Sequence, residues 1–246
     1  MLILLSNDDG YISAGIESLY ASLSKIARVI MVAPDRERSA VSHKITLTSP
    51  IRITQIGKDR YITDASPADC VKVAFLKLVD EKIDLVVSGI NMGPNMGTDV
   101  FYSGTVAVAR EGLINGVPGV AFSLNSFSKK IDFEYAADYA GKIIGKCSSY
   151  LAGPTLLNIN FPDEPHYKGI KFTQLGFRVY QEKLIENHDP MGRPYYWIGG
   201  DFPTHNPLSG SDFEAVHSGY VSITPLTLDI TDYKALTYWN NHQLDI

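Results

Sequence analysis

The chain has 246 residues, of which 45% are hydrophobic and 20% charged, a balance that supports a substantial core and excludes disordered, collagen-like and low-complexity classes. Its 22 basic and 27 acidic side chains give a formal net charge of −5, which argues against binding to a nucleic-acid duplex. The N-terminus lacks the features of a signal peptide, and no uncharged apolar stretch approaches the roughly 20 residues of a membrane span. We therefore expect a soluble, cytoplasmic protein without a membrane partner.

Short apolar runs alternate with segments of helical periodicity through the first two-thirds of the chain. The runs that predict buried strands are Leu2–Leu5, Val29–Ala33, Leu85–Val87, Val120–Phe122 and Leu156–Ile159. Four segments predict helices, one of which begins at about Thr105. The apolar faces of the other three carry Ile16, Leu19, Tyr20, Leu23 and Ile26, then Val71, Phe75 and Leu78, and finally Ala136, Tyr139, Ala140, Ile143 and Cys147. Residues 45–63 alternate at period two, which predicts short, half-exposed strands. Strands that alternate with helices predict a parallel, doubly wound sheet of the α/β class.

After about Pro162 the helical periodicity disappears, and the remaining segments favour a β-rich region. Residues 189–193 predict a hairpin turn between two extended arms, and the second arm, at 195–198, is unusually aromatic. Tyr220–Thr224 predicts a further strand, and the last fifteen residues a short helix. The pattern alone leaves two roles open for the aromatic arm, because it could pack within its own domain or protrude toward a partner chain.

Two adjacent acids, Asp8 and Asp9, follow the first predicted strand. Ligands of open α/β sheets bind at the carboxyl ends of the strands, so the pair lies where a site is expected. Two neighbouring negative charges repel each other unless a cation lies near them, and a hard divalent cation with oxygen ligands meets that need. A solvated turn is the alternative, because Asn-Asp-Asp-Gly is also good turn chemistry.

Loops after two further strands are expected at the same edge of the sheet. Residues 34–43 offer hydroxyls and charges of both signs, and residues 88–99 combine glycines with Asn91 and Asn95. The segment 102–105 then leads into a helix whose free N–H groups could receive a phosphate. Neither the dinucleotide fingerprint nor the P-loop motif is present. Metal-assisted phosphoryl chemistry is the hypothesis that uses all three loops.

The chain resembles the stationary-phase survival protein SurE family in four segments, SNDDG (6–10), APDRERSAVS (33–42), SGINMGPNMGTDVFYSGTVAVAREG (88–112) and GSDFEAVHSGYVSITPL (210–226). The resemblance implies a Rossmann-like, three-layer α/β fold with a mostly parallel sheet, a C-terminal β-rich extension and a protruding hairpin. It implies one SurE-like domain, with a catalytic core at 1–162 and an oligomerisation region at 163–246. The family exchanges such hairpins between subunits, which favours a homodimer or homotetramer.

The resemblance also implies an activity and a set of site residues. The activity is that of a divalent-metal-dependent nucleotidase, which hydrolyses nucleoside 5′- and 3′-monophosphates and has an exopolyphosphatase side activity in some members. One Mg²⁺ or Mn²⁺ ion is implied, and its matching ligands are Asp8, Asp9, Ser39 and Asn91. The positions that match the phosphate site are Asn95, Ser103, Gly104 and Thr105. Departures from the family pattern occur at Ser13-Ala14, Ala40 and Ala65-Ser66, and Ala40 directly follows the proposed ligand Ser39.

The mechanism we expect is in-line attack of a metal-activated water on phosphorus, with Asp8 and Asp9 as the catalytic pair. One of the two aspartates could also take the proton. An aspartyl-phosphate intermediate is a rival within the same class, although phosphatases with an aspartate nucleophile carry D-x-D instead of adjacent aspartates. A response-regulator receiver fits poorly, because no acid follows the third strand. A nucleotide-binding protein without catalysis stays open, and His43 is expected to be a surface or substrate-shell residue.

Overall fold

The computed structural model describes residues 1–128, 131–147, 151, 153 and 155–242. The strands of this part of the chain are β1 Leu2–Ser6, β2 Arg28–Pro34, β3 Ile53–Gly57, β4 Arg60–Thr63, β5 Leu85–Met92, β6 Gly119–Leu124, β7 Leu156–Phe161, β8 Ile170–Phe172, β9 Arg178–Val179, β10 Glu182–His188, β11 Pro194–Gly200, β12 Thr204–His205 and β13 Val221–Leu226. The α-helices are α1 Ala14–Leu23, α2 Pro67–Val73, α3 Gly104–Ile114, α4 Glu134–Cys147, α5 Asp212–His217 and α6 Tyr233–Asn240. A π-helical turn at Ala74–Leu78 extends α2, and a 3₁₀ helix at Gly97–Phe101 precedes α3.

Nine strands of the described residues form one sheet, in the order β3-β4-β2-β1-β5-β6-β7-β13-β8. All neighbours from β4 to β7 are parallel. The strands β3 and β13 are antiparallel to β4 and β7, respectively. The predicted α/β class with a mostly parallel sheet is therefore confirmed, and β1 lies near the middle of the sheet between β2 and β5.

The core is divided between the two faces of the sheet. Ile3 and Leu5 of β1 pack with residues of α1 and α4, whereas Leu2 and Leu4 pack with residues of α2 and α3. This division follows from the period-two alternation of side chains along a strand. Because apolar residues occupy both phases, the strand is buried on both faces and helices cover each of them. The result is the expected three-layer arrangement.

Three expectations for the first half of the chain are wrong. Helix α1 ends at Leu23, so Ile26 lies beyond it and is exposed instead of lying on the buried face. Residues 45–52 form no strand, and β3 begins only at Ile53. Strand β5 continues to Met92, so the glycine-rich loop starts after that residue and not at Ser88. In that extension Asn91 pairs with Ser123 of β6 after a shift of register, which a pattern of apolar residues does not predict.

The C-terminal third confirms the predicted hairpin and adds one helix. Strands β10 and β11 pair in antiparallel register around the turn 189–193, which closes with a hydrogen bond from Gly192 N–H to the carbonyl of Asp189 (2.9 Å). Strand β13 joins the main sheet, and α6 confirms the predicted short helix, although residues 243–246 lie outside the described part. The short helix α5 was not expected. None of the helices in the described residues is long and apolar enough to span a membrane.

Helix α1 approaches β5 so closely that only glycine fits at position 15. A Cβ atom on Gly15 would lie 2.0 Å from the carbonyl oxygen of Ile90. The helix therefore packs directly on the backbone of the strand that leads to the glycine-rich loop. This contact fixes the distance between α1 and one of the loops of the candidate site.

We expect Gly15→Ala to destabilise the protein by about 1–3 kcal/mol, because the methyl group has to displace main-chain atoms. The matched control is Gly145→Ala in α4, where a Cβ atom meets nothing within 4 Å. That substitution should raise the free energy of unfolding by about 0.5–1 kcal/mol, since alanine loses less backbone entropy in a helix. Urea unfolding of both variants measures the difference, and equal effects would contradict the close packing.

Candidate active site

The loops that follow β1, β2 and β5 meet at one edge of the sheet, because these strands are parallel neighbours. Together with the start of α3 they border a cavity of about 420 Å³. The sequence-predicted residues that line it are Asp8, Ser39, Asn91, Asn95 and Ser103. Asp9, Gly104 and Thr105 are absent from this lining and lie beside or behind it. The structure thus brings the predicted residues of three separate loops into a single site.

The carboxylate of Asp8 is buried between β1 and the first turn of α3. Its Oδ1 atom accepts a hydrogen bond from the Thr105 hydroxyl, and its backbone carbonyl accepts one from Arg38 N–H (2.7 Å). Burial raises the pKa of the Asp8 carboxyl group, and the hydrogen bond from Thr105 partly opposes this effect. Thr105 is fully buried, so its hydroxyl group orients Asp8 instead of reaching the cavity.

The Asp9 carboxylate is half-buried beside the end of β5. Its Oδ2 atom accepts a hydrogen bond from Met92 N–H (3.2 Å). Burial and the neighbouring Asp8 charge raise the pKa of Asp9 to about 7. The main causes of the two pKa shifts are burial, hydrogen-bond donors and neighbouring acids. The two acids therefore form a site of concentrated negative charge.

A hard divalent cation fits this donor set. Among the described residues, no third His, Cys, Asp or Glu joins the acid pair, so neutral oxygens have to complete a coordination sphere. The amide nitrogen of Asn91 donates to the carbonyl of Gly93 (2.8 Å), which leaves the amide oxygen as the ligand atom. Ser39 is exposed, and its hydroxyl group donates to Glu37 Oε1 (2.8 Å). The assignment of Asp8, Asp9, Ser39 and Asn91 as metal ligands stays a prediction.

The backbone after Ser39 adopts a conformation that usually requires glycine. Ala40, which stands where the family pattern has glycine, has a φ of 56°. The nearby Ser42 also has a φ of 56°, and its N–H and hydroxyl groups donate to the carbonyls of Tyr102 (3.0 Å) and Phe101 (2.6 Å). These two bonds attach the loop after β2 to the segment that leads into α3.

The predicted phosphate side of the cavity is built from Asn95 and the start of α3. Asn95 is held through its N–H group, which donates to Asn160 Oδ1, and through its amide, which donates to Ser123 Oγ (both 2.8 Å). Ser103 caps α3 by accepting a hydrogen bond from Val106 N–H (3.0 Å). A Cβ atom on Gly104 would lie 2.8 Å from the Asp8 side chain, so glycine lets the helix N-terminus touch Asp8. The phosphate-binding roles stay predictions.

One wall of the cavity comes from residues to which the sequence analysis assigned no role. Arg178 Nε donates to Asp99 Oδ2 (2.9 Å), and the Tyr180 hydroxyl donates to Asp99 Oδ1 (2.6 Å). Burial, followed by the Asp99 carboxylate, raises the pKa of Tyr180 to about 12. Tyr102, Phe127 and Phe202 also line the cavity. Asp99 and Tyr102 lie within segment 88–112, which resembles the SurE family. This resemblance is the one feature of the sequence that points to a place for these two residues in the site.

His43 lies outside the lining of this cavity. Its Nε2 atom is 2.8 Å from Oε2 of the buried Glu111, which also accepts a hydrogen bond from Lys72 Nζ (3.0 Å). These contacts lower the pKa of Glu111 against the opposing effect of burial. His43 therefore connects the loop after β2 to α3, and the structure offers it no position from which to donate a proton at the acid pair.

The fold and the site together define a Rossmann-like α/β protein with an acidic, oxygen-rich cavity at the carboxyl edge of its sheet. The family profile described as Survival protein SurE matches residues 3–182. Curated relatives named 5′-nucleotidase SurE include those of Syntrophomonas wolfei, 46% identical over 95% of this chain and 91% of the relative, and of Herpetosiphon aurantiacus, 44% identical over 98% and 100%. A crystal structure of the SurE protein from Aquifex aeolicus superposes with a TM-score of 0.85 at 42% identity, covering 98% of this chain and 100% of that one. The chain belongs to the SurE family.

We expect Thr105→Val to destabilise the metal-free protein by about 1–3 kcal/mol, because a nearly isosteric side chain leaves the buried Asp8 carboxylate without its hydroxyl donor. The control is Thr237→Val, whose exposed hydroxyl donates to the carbonyl of Tyr233 (2.8 Å). That change should stay within about 0.5 kcal/mol. Thermal unfolding compares the two, and a Thr105→Val variant as stable as the parent would show that the hydrogen bond does not support Asp8.

Proposed function

We propose that this chain is a divalent-metal-dependent 5′-nucleotidase, which hydrolyses nucleoside monophosphates to a nucleoside and inorganic phosphate. The observation that carries the proposal is the contact of Asp8, one of the two adjacent acids, with the N-terminus of α3 at the cavity. The prediction of an enzyme of the nucleotidase class is confirmed by the names of the three curated relatives at 44–46% identity. We extend the proposal to 3′-monophosphates and to an exopolyphosphatase side activity, which the family resemblance implies.

In this proposal, one group of residues binds the metal ion and another binds the phosphate. Asp8, Asp9, Ser39 and Asn91 would hold one Mg²⁺ or Mn²⁺ ion. Such an ion, when bound, supplies positive charge to the phosphoryl group and makes water a better nucleophile at neutral pH. On the other side, the N–H groups and dipole at the start of α3, with Ser103 and Asn95, orient the phosphate dianion for in-line attack. One carboxylate of the acid pair takes the proton of the attacking water.

We expect Asp9→Asn to lower the release of phosphate from adenosine 5′-monophosphate in the presence of Mn²⁺ by about 100-fold or more, because one of two charged ligands is lost. Calorimetry should show weaker Mn²⁺ binding by the same variant. The melting temperature of the metal-free protein should be unchanged or higher, since the substitution removes repulsion between two adjacent carboxylates in a partly buried site. A colorimetric phosphate assay at several Mn²⁺ concentrations measures the first effect.

The control for this experiment is Asp201→Asn, which changes an exposed acid paired with Lys183 (3.1 Å). It should leave activity and Mn²⁺ binding unchanged. If Asp9→Asn is as active as the parent protein and needs no more Mn²⁺, the assignment of the metal site is wrong. A parent protein that binds nucleotides tightly but releases no phosphate with any divalent metal would instead support a binding protein without catalysis.

We infer that the hairpin β10–β11 packs on a second copy of this chain. The two strands pack mainly on each other and leave large apolar side chains exposed. In the observed register Ile185 lies opposite Trp197, and Leu184 lies opposite Ile198, so apolar pairs occupy both faces of the ribbon. A two-stranded ribbon is marginally stable alone in water, and exposed aromatic residues are common anchors of subunit interfaces. These features, together with the family resemblance, support a dimer or tetramer formed by exchanged hairpins.

We expect the double substitution Trp197→Ser and Ile198→Ser to shift the protein toward the monomer, because it removes apolar contacts on both faces of the ribbon. The control is Leu76→Ser, which changes a leucine outside the hairpin that is about as exposed as Ile198. Light scattering at micromolar concentration measures the mass of each variant. If the unsubstituted protein is already monomeric under these conditions, the inference is wrong.

A further inference from the structure

The cavity is lined by both polar and aromatic side chains. Asp8 and Ser103 are among the polar ones, as described above. Four large aromatic side chains, Tyr102, Phe127, Tyr180 and Phe202, are here called the aromatic wall. Their exposed fractions are 60%, 68%, 47% and 85%, although they border a concave site. Aromatic surface that stays in contact with water inside a cavity is typical of a ligand-binding wall.

Two members of the aromatic wall are fixed by contacts to the backbone and to a partly buried ion pair. A Cβ atom on Gly93 would lie 3.0 Å from the Phe127 ring, so this ring rests on the backbone of the glycine-rich loop. The Tyr180 hydroxyl donates to Asp99, which is held in turn by Arg178. The Arg178 guanidinium group also lies 4.7 Å from the centroid of the Phe213 ring. These contacts present the two rings to the cavity in defined positions.

We propose that the aromatic wall is the nucleobase subsite, on which the base of the substrate stacks while its phosphate lies at the start of α3. This proposal rests on the proposed function and adds the part of the substrate that the acid pair does not recognise. A nucleoside monophosphate has a dianionic end and a flat aromatic end, and the cavity lining offers polar groups for the first and aromatic rings for the second. Its volume of about 420 Å³ falls within the range of small-molecule sites.

Stacking predicts a particular specificity. Every base presents a π-face, so a wall that binds by stacking accepts purine and pyrimidine nucleotides alike. Purines should bind more tightly, because they offer a larger ring surface. The wall gives no advantage to a phosphate ester without a base, such as ribose 5-phosphate. The ratio of kcat/KM between adenosine 5′-monophosphate and ribose 5-phosphate therefore reports the contribution of the aromatic wall.

The test is the substitution Phe127→Ala, with Phe127→Tyr as the conservative variant. We expect Phe127→Ala to lower kcat/KM for adenosine and uridine 5′-monophosphates by about 5- to 150-fold, the loss that follows from removing one base–aromatic stack. The value for ribose 5-phosphate should not change, and Phe127→Tyr should retain the parent's ratio. The control is Phe172→Ala, an exposed phenylalanine on β8 outside the cavity lining, which should leave both substrates unaffected.

Binding of adenosine, which has no phosphate, separates this proposal from the proposed function. Calorimetry should detect adenosine binding to the parent protein and weaker binding to Phe127→Ala, even if the parent hydrolyses none of the phosphate esters. That outcome would support the subsite and reject the nucleotidase. Equal losses of kcat/KM for adenosine 5′-monophosphate and ribose 5-phosphate would overturn the subsite while leaving the nucleotidase intact. Unchanged adenosine binding in Phe127→Ala would overturn it as well.

Discussion

Asp8 and Asp9 lie side by side at the end of a buried strand, where the low dielectric constant strengthens the repulsion between two negative charges. The surrounding structure meets this constraint with neutral donors. The Thr105 hydroxyl group donates to Asp8, and the Met92 N–H group donates to Asp9. Because neither donor carries a charge, the negative charge of the two carboxylates is not compensated, and a cation is still favoured beside them. The fold thus holds the carboxylates in place without neutralising them.

The order of the strands explains how distant parts of the chain reach this pair. Strand β1 lies between β2 and β5, so the loops that follow these three strands begin next to one another at the same edge of the sheet. Glycine makes the closest approaches possible, since Gly104 brings α3 against Asp8 and Gly15 brings α1 against β5. A side chain at position 104 would push α3 away from Asp8, and one at position 15 would push α1 away from the strand that leads to the glycine-rich loop. Small residues here set the distances between elements, and the polar residues supply the chemistry.

The sequence predicts the central strands and the acid pair well, because each depends on neighbouring residues. Buried parallel strands are short apolar runs, and the adjacency of Asp8 and Asp9 is a property of the chain itself. By contrast, the contact of Arg178 with Asp99 joins residues that are 79 positions apart in the chain, so no local sequence pattern predicts it. The short helix α5 was missed because six residues provide less than two turns of periodicity. The extension of β5 was missed because glycine and asparagine disfavour strands unless tertiary pairing overrides them.

The root of the hairpin and the wall of the cavity are built from the same segment. Tyr180 precedes β10 and Phe202 follows β11, and both line the cavity. Two acids, the partly buried Asp99 and the buried Asp212, anchor this segment to the loop before α3. Asp99 binds Arg178, and Asp212 accepts hydrogen bonds from the N–H groups of Gly97 (2.7 Å) and Gly176 (2.9 Å). The C-terminal region is therefore attached to the loop that positions the start of α3. A change in how the hairpin packs would affect both the aromatic wall and the start of α3, because the contacts of Asp99 and Asp212 join the two.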